Sequence, residues 1–191
     1  MIQQKIILGS GSPRRKQLLS EMDFEIEVCA LDIDESYPDK LSCVEVAGYI
    51  ANQKMAALKE IKDDSSVLLT ADTTVILGDQ LLGKPTDSEN AKWMLQQLSG
   101  KSHAVNTAVE LFYKGKKERI NCFTEVFFKE LKEHQIDYYI SQFNPFDKAG
   151  SYGIQDWIGL VAINKIEGSY TNVVGLPTDE CFTGIQKLLN T

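Results

Sequence analysis

Midway along the chain, two long segments, His103–Tyr113 and Glu118–Lys129, flank Lys114-Gly115-Lys116. In the second, Ile120, Cys122, Thr124, Val126 and Phe128 recur at every other position, so they share one side of a strand. The pair predicts an antiparallel hairpin. A hairpin in mid-chain breaks any regular series of β-α-β crossovers, so a mixed sheet fits better than a doubly wound parallel one.

Helices and short strands surround it. Lys5–Leu8 predicts a buried strand, and a helix from about Pro13 to Met22 follows, with Pro in its first turn and Leu18, Leu19 and Met22 facing inward. Glu25–Cys29 alternates as a strand. Ser42 with Glu45 makes a capping box for a helix whose Ala47, Ile50, Ala51, Leu58 and Ile61 form one apolar face. Val67–Leu77 is strand-like but interrupted at Ala71-Asp72-Thr73-Thr74, and Gly78-Asp79 turns it back into Leu81-Leu82. Thr86 with Glu89 predicts a second capping box, for a helix carrying Ala91, Met94, Leu95 and Leu98. His134–Gln142 predicts a helix, Lys148–Gln155 a glycine-punctuated loop, Trp157–Asn164 a strand, and Thr178–Leu189 a closing helix capped by Thr178. The expected fold is α/β on a mixed sheet, with residues 1–191 forming one continuous domain.

Composition narrows the function. The 191 residues carry 20 Lys+Arg and 27 Asp+Glu, a net charge of −7, which argues against nonspecific binding to nucleic acid. At 43% apolar the chain can build a core, yet no apolar run approaches the ~18 residues of a membrane span. The N-terminus turns polar too soon for a secretory signal. Cys29, Cys43, Cys122 and Cys181 are scattered, with neither a zinc spacing nor a disulfide framework, and read as buried free thiols. The expected setting is therefore the reducing cytoplasm.

Against that acidic background Leu8-Gly9-Ser10-Gly11-Ser12-Pro13-Arg14-Arg15 stands out as strand, turn and helix start. Glycines admit a ligand to the backbone, helix-start amides attract anions, and arginine forks suit phosphate oxygens. The G-x-x-x-x-G-K-[ST] spacing is absent. The alternative is an ordinary helix start with a basic first turn, which opposes the helix dipole. Asp72 is the second signal. A carboxylate inside an apolar run is costly unless a cation meets it, so it reads either as a metal ligand or general base, or as a loop residue between two short strands. Asp32, Asp34 and Glu35 offer hard oxygen ligands for Mg²⁺ or Mn²⁺, or else a solvated acidic loop. Lys54, Lys84 and Lys148, each ordinary as a surface lysine, could together with the arginines neutralise a triphosphate. His103 and His134 adjoin no nucleophile pattern and read as structural.

Taken together, Leu8–Leu19, Ala71–Pro85, Lys148–Gln155 and Gly168–Pro177, with Leu98-Ser99-Gly100 and His103, resemble the Maf family of nucleoside triphosphate pyrophosphatases. The resemblance runs nearly the whole chain. It implies a fold related to the inosine-triphosphate pyrophosphatases, with two lobes around a central cleft. It also implies that Asp72 is the proton acceptor and that Ser10, Ser12, Arg14, Arg15, Lys54 and Lys84 hold the phosphates. Arg14, Thr73 and Gln155 match the branch hydrolysing dTTP and UTP. Gly9 stands where alanine is usual, Asp156-Trp157 where small residues usually follow the glutamine, and Thr178-Asp179 where an apolar residue is common.

The expected activity is metal-dependent hydrolysis of dTTP and UTP to the monophosphate and pyrophosphate, with Mg²⁺ or Mn²⁺ held at Glu35 and Asp72. Gln155 would pair with the pyrimidine edge, unless Trp157 stacks on the base instead. The expected partners are the nucleotide and, in a homodimer, a second copy; nucleic acid and membrane are not. A noncatalytic nucleotide-binding regulator of cell division is the alternative, separated from the enzyme by whether pyrophosphate is released.

Overall fold

A computed structural model describes residues 4–190. The described residues form a seven-stranded mixed sheet ordered β2-β1-β3-β5-β6-β7, with β4 paired to β3. Strand β1 (Lys5–Leu8) runs parallel to both β2 (Glu25–Val28) and β3 (Val67–Leu77). Strand β4 (Gln80–Leu82) turns back antiparallel on β3. Strands β5 (Ser102–Tyr113) and β6 (Lys116–Phe128) are the expected hairpin, closed at Lys114-Gly115, which both take the positive φ of a twist-matched turn. Strand β7 (Ile163–Glu167) adds antiparallel to the far end of β6, with an irregularity at Phe127/Phe128.

Two compact units divide the described residues, one comprising 4–72, 107–122 and 175–190, the other 73–106 and 123–174. Each has its own core. In the first, β1 is buried on both faces, as parallel strands are. Ile6 and Leu8 pack with Leu19, Val109, Leu176 and Ile185, and Ile7 packs with Met55, Leu58 and Leu68. Helix α1 (Pro13–Glu21) supplies Leu19 and α7 (Thr178–Leu189) supplies Ile185, while α2 (Cys43–Ile61) supplies Met55 and Leu58. In the second unit, α3 (Ser88–Leu98), α4 (Glu133–Phe143) and α5 (Trp157–Ala162) close over Val75, Val105, Val126 and Phe128. A short helix, α6 (Tyr170–Val174), had no counterpart in the sequence reading.

Four local expectations need correction. Strand β3 is continuous through Ala71–Thr74, so Asp72 is a strand residue and not a loop residue. Trp157–Ala162 is helical rather than extended. Its buried residues Ile158 and Ala162 lie four apart while Leu160 is 81% exposed, the spacing of a helix face and not of a strand. The cap of α3 is Asp87, whose side chain accepts from the Asn90 amide, so Thr86 lies one residue outside. Pro177 occupies the cap position of α7 and Thr178 opens the helix. The four thiols are free, but only Cys181 is fully buried. Burial and a hydrogen bond to Glu180 push the Cys122 thiol up to about 12.

Candidate active site

The alternation of β3 decides which side chains meet. Val67, Leu69 and Ala71 turn toward the core built by α1 and α7, while Leu68 turns toward α2. Thr70 shares the Leu68 face and donates its hydroxyl to the Ala51 carbonyl of α2 at 2.8 Å. Asp72, two residues further, falls on the same face. On α2, Ala47, Ile50, Ala51, Met55 and Leu58 are buried, and Lys54 lies three residues after Ala51 and four before Leu58, inside that stripe.

The two patterns bring Lys54 to Asp72. The Lys54 ammonium lies 2.9 Å from Asp72 Oδ1 and 2.7 Å from Glu35 Oε1, so two carboxylates share one cation. Burial raises the Asp72 carboxyl above its ordinary value, and the charges of Lys54 and Arg15 oppose that rise only in part. A carboxylate so placed is a stronger base than one in water.

Arg15 organises the other side. It is buried one turn before Leu19, on the inner face of α1. Its Nε donates to the Gly175 carbonyl at 2.8 Å, and Nη1 donates to the Ala71 carbonyl at 2.9 Å and to Ser10 Oγ at 3.0 Å. The turn after β1, the strand residue preceding Asp72 and the Gly175 bend are thereby fixed to one planar group. Burial pushes the guanidinium down from its ordinary value while Asp72 pulls it back. Ser10 Oγ also accepts from the Ser12 amide, and Ser12 caps α1 by accepting from the Arg15 amide. Arg14, next in the helix, is half-buried.

Of the acidic trio only Glu35 joins this group. Asp34 bends back to accept from the Ser36 amide and hydroxyl, which hold its carboxyl below the usual range, and Asp32 is exposed. Among the described residues no three His, Cys, Asp or Glu side chains form a metal cluster. Glu35 and Asp72 are the two carboxylates of this group that could hold a hard divalent cation.

The remaining expected residues belong to the second unit. Thr73 is half-buried on β3, and Lys84 and Gln155 are exposed. The Gly150 amide donates to the Gly83 carbonyl at 3.0 Å, tying the segment of Lys84 to the loop that leads to Gln155. Lys148 is already engaged, 2.7 Å from Asp147 and 3.8 Å from Asp156. His103 is buried against Tyr152, with Nε2 2.7 Å from the hydroxyl, as a structural histidine would be. The sequence reading missed the carbonyls of Ala71 and Gly175, which carry no side-chain signature.

A family model described as Maf-like protein matches residues 5–188. The dTTP/UTP pyrophosphatase of Phocaeicola vulgatus is 47% identical over 96% of this chain and 96% of its own. That of Porphyromonas gingivalis strain W83 is 48% identical over 91% of this chain and 88% of its own. That of Flavobacterium psychrophilum is 47% identical over 93% and 91%.

Proposed function

Since the chain belongs to the Maf family, we infer that it is a nucleoside triphosphate pyrophosphatase acting on dTTP and UTP. The observation that supports this best is the Lys54 ammonium shared by Asp72 and Glu35, beside a serine- and arginine-bearing turn. The family relatives are named for this catalysis, which does not favour the noncatalytic regulator.

In the reaction, water attacks the α-phosphorus and the bond to the oxygen bridging the α- and β-phosphates breaks. Nucleoside monophosphate and pyrophosphate leave. Asp72 accepts the proton of the attacking water, a role for which its burial-raised carboxyl is suited. Lys54, freed from sharing its charge when substrate enters, and Arg14 and Lys84 offset charge on the phosphates. Ser10 and Ser12 line the same turn, and Arg15 holds it in place through Ala71 and Gly175. Glu35 and Asp72 would hold Mg²⁺ or Mn²⁺, whose contribution when bound is to neutralise phosphate oxygens. By family resemblance, Thr73 and Gln155 select the base, Gln155 offering both a donor and an acceptor to a pyrimidine edge.

Among the described residues no helix is long and apolar enough to cross a membrane. Free thiols suit the cytoplasmic setting proposed here. The homodimer is a separate proposal, tested by the mass of the purified protein in solution. The activity is tested by pyrophosphate release from dTTP, UTP, CTP and GTP. Release from dTTP and UTP well above the purine nucleotide is expected, and none from any of the four would overturn the reading.

A further inference from the structure

We propose that Tyr139 and Asp156 form a clamp that fixes the turn presenting Gln155, and that this clamp sets base selection without touching the nucleotide. The proposal rests on the reading of Gln155 as the base-selecting residue.

Gln155 stands at the tip of a turn closed by the Asp156 amide donating to the Gly153 carbonyl at 3.0 Å. Both ends of that turn meet on one oxygen. The Tyr139 hydroxyl accepts from the Gly153 amide at 3.1 Å and donates to Asp156 Oδ2 at 2.7 Å. Tyr139 is itself packed on all sides. It is fully buried on α4 and its ring stacks on Phe143, with centroids 5.2 Å apart. Burial and the neighbouring carboxylate hold its phenol protonated, so it remains a donor to Asp156.

The Asp156 carboxylate fills the space beside the turn. A Cβ on Gly153 would fall 2.7 Å from Asp156 Oδ2 and 2.9 Å from Gln155 Nε2. The same oxygen lies 3.8 Å from the ammonium of Lys148, at the start of the same loop. The Asp156 carbonyl then accepts from the Gly159 amide at 3.0 Å and starts α5. Trp157 docks on the preceding residue of α4, its ring edge-on to Tyr138 at 4.9 Å. Asp156 and Trp157 thus engage Tyr139 and Tyr138 in turn. Trp157 is spent on packing, which leaves Gln155 as the side chain the turn presents.

A side chain that reads a base by paired hydrogen bonds loses discrimination when its backbone is free to tilt, because the wrong base then finds a compatible pose. The clamp removes that freedom. It acts through Gln155, so Tyr139 and Asp156 are positioning residues.

The test measures kcat and KM for UTP and GTP with the full chain and four variants: Tyr139→Phe, Asp156→Ala, Asp156→Asn and Gln155→Ala. Tyr139→Phe and Asp156→Ala should shrink the UTP-to-GTP ratio of kcat/KM by roughly 5–30-fold, the effect of one or two lost hydrogen bonds, mainly through KM for UTP. Asp156→Asn keeps an acceptor for the Tyr139 hydroxyl and should restore most of the ratio. If Gln155→Ala collapses the ratio while Tyr139→Phe and Asp156→Ala leave it unchanged, the clamp falls and the base-reading role stands. If Gln155→Ala itself leaves the ratio unchanged, the base-reading role falls and takes the clamp with it. An equal loss of kcat on both nucleotides in the clamp variants would show support of the fold alone and would also overturn the proposal.

Discussion

The ammonium of Lys54 lies 2.9 Å from the carboxylate of Asp72, and their side chains retain only 10% and 13% of their exposure. Lys54 has a second partner in Glu35, but the buried Asp72 carboxylate depends on the Lys54 ammonium. The pair explains how an acid can occupy the middle of an eleven-residue strand otherwise made of apolar residues and three threonines.

Removing either member therefore has different consequences. Asp72→Asn leaves Lys54 paired with Glu35, so the melting temperature should stay near that of the parent. Turnover should drop by at least about 10²-fold, the usual cost of losing a general base. Lys54→Met strands a buried carboxylate and should destabilise by about 3 kcal/mol as well as lower activity. Steady-state rates and denaturant unfolding on both variants check this pair. Near-normal turnover in Asp72→Asn would remove Asp72 from the mechanism.

Among the described residues no Cys or His joins Glu35 and Asp72 in a metal-holding group. Protein stripped with EDTA should lose pyrophosphatase activity and regain it with Mg²⁺ or Mn²⁺, but not with thiophilic ions. Titration of the stripped protein with each metal gives the answer. Full activity in excess chelator would count against Glu35 and Asp72 as ligands.

Arg15 cannot be replaced by lysine without loss, because a single ammonium cannot span the Gly175 carbonyl, the Ala71 carbonyl and Ser10 Oγ in one plane. Arg15→Lys should destabilise by about 3 kcal/mol, at roughly 1 kcal/mol per hydrogen bond. For a chain of this size that corresponds to a fall of roughly 6–12 °C in Tm. Because the guanidinium also sets the backbone beside Asp72, kcat should fall on every nucleotide alike. A Tm within 2 °C of the parent, on the ~2–4 °C per kcal/mol scale, would argue that these bonds are worth little.

His103 gives a pH signature independent of the site. Burial lowers its pKa from 6.5 to about 4, and among the described residues Nδ1 finds no hydrogen-bond partner. The unfolded chain therefore binds a proton between pH 6.5 and 4 that the folded chain refuses. Stability should decline across that window as pH falls, by up to about 3 kcal/mol in total, and decline no further on this account below it. Urea unfolding at several pH values, compared with His103→Gln, isolates the contribution. An identical pH slope in the variant would refute it.

Much of the fold was legible because period-2 and period-3.6 patterns are local. The β5–β6 hairpin, α2 with its Ser42–Glu45 box, and the strand–turn–helix at Leu8–Arg15 all follow from residues close in sequence. Trp157–Ala162 was misread because a short apolar run satisfies both periods, and only the packing of Ile158 and Ala162 decides between them. The break expected in β3 came from judging Asp72 alone. Its compensation by Lys54 comes from an α2 residue 18 positions away, which no local pattern reveals. Likewise the phosphate-turn residues were visible as a motif, but the anchoring of Arg15 on Gly175 was not, since a carbonyl has no residue type.

Gly159 sits so close to the Ile154 carbonyl oxygen that any Cβ there would overlap it. For protein engineering this makes residues 148–159 a cassette. Single-site libraries at position 159 should return glycine alone, and shifting α5 to make room would drag the Asp156 end of the turn with it. Altered nucleotide preference should then be sought by transplanting the segment whole, together with its α4 seat at Tyr138 and Tyr139, rather than by stepwise substitution inside it.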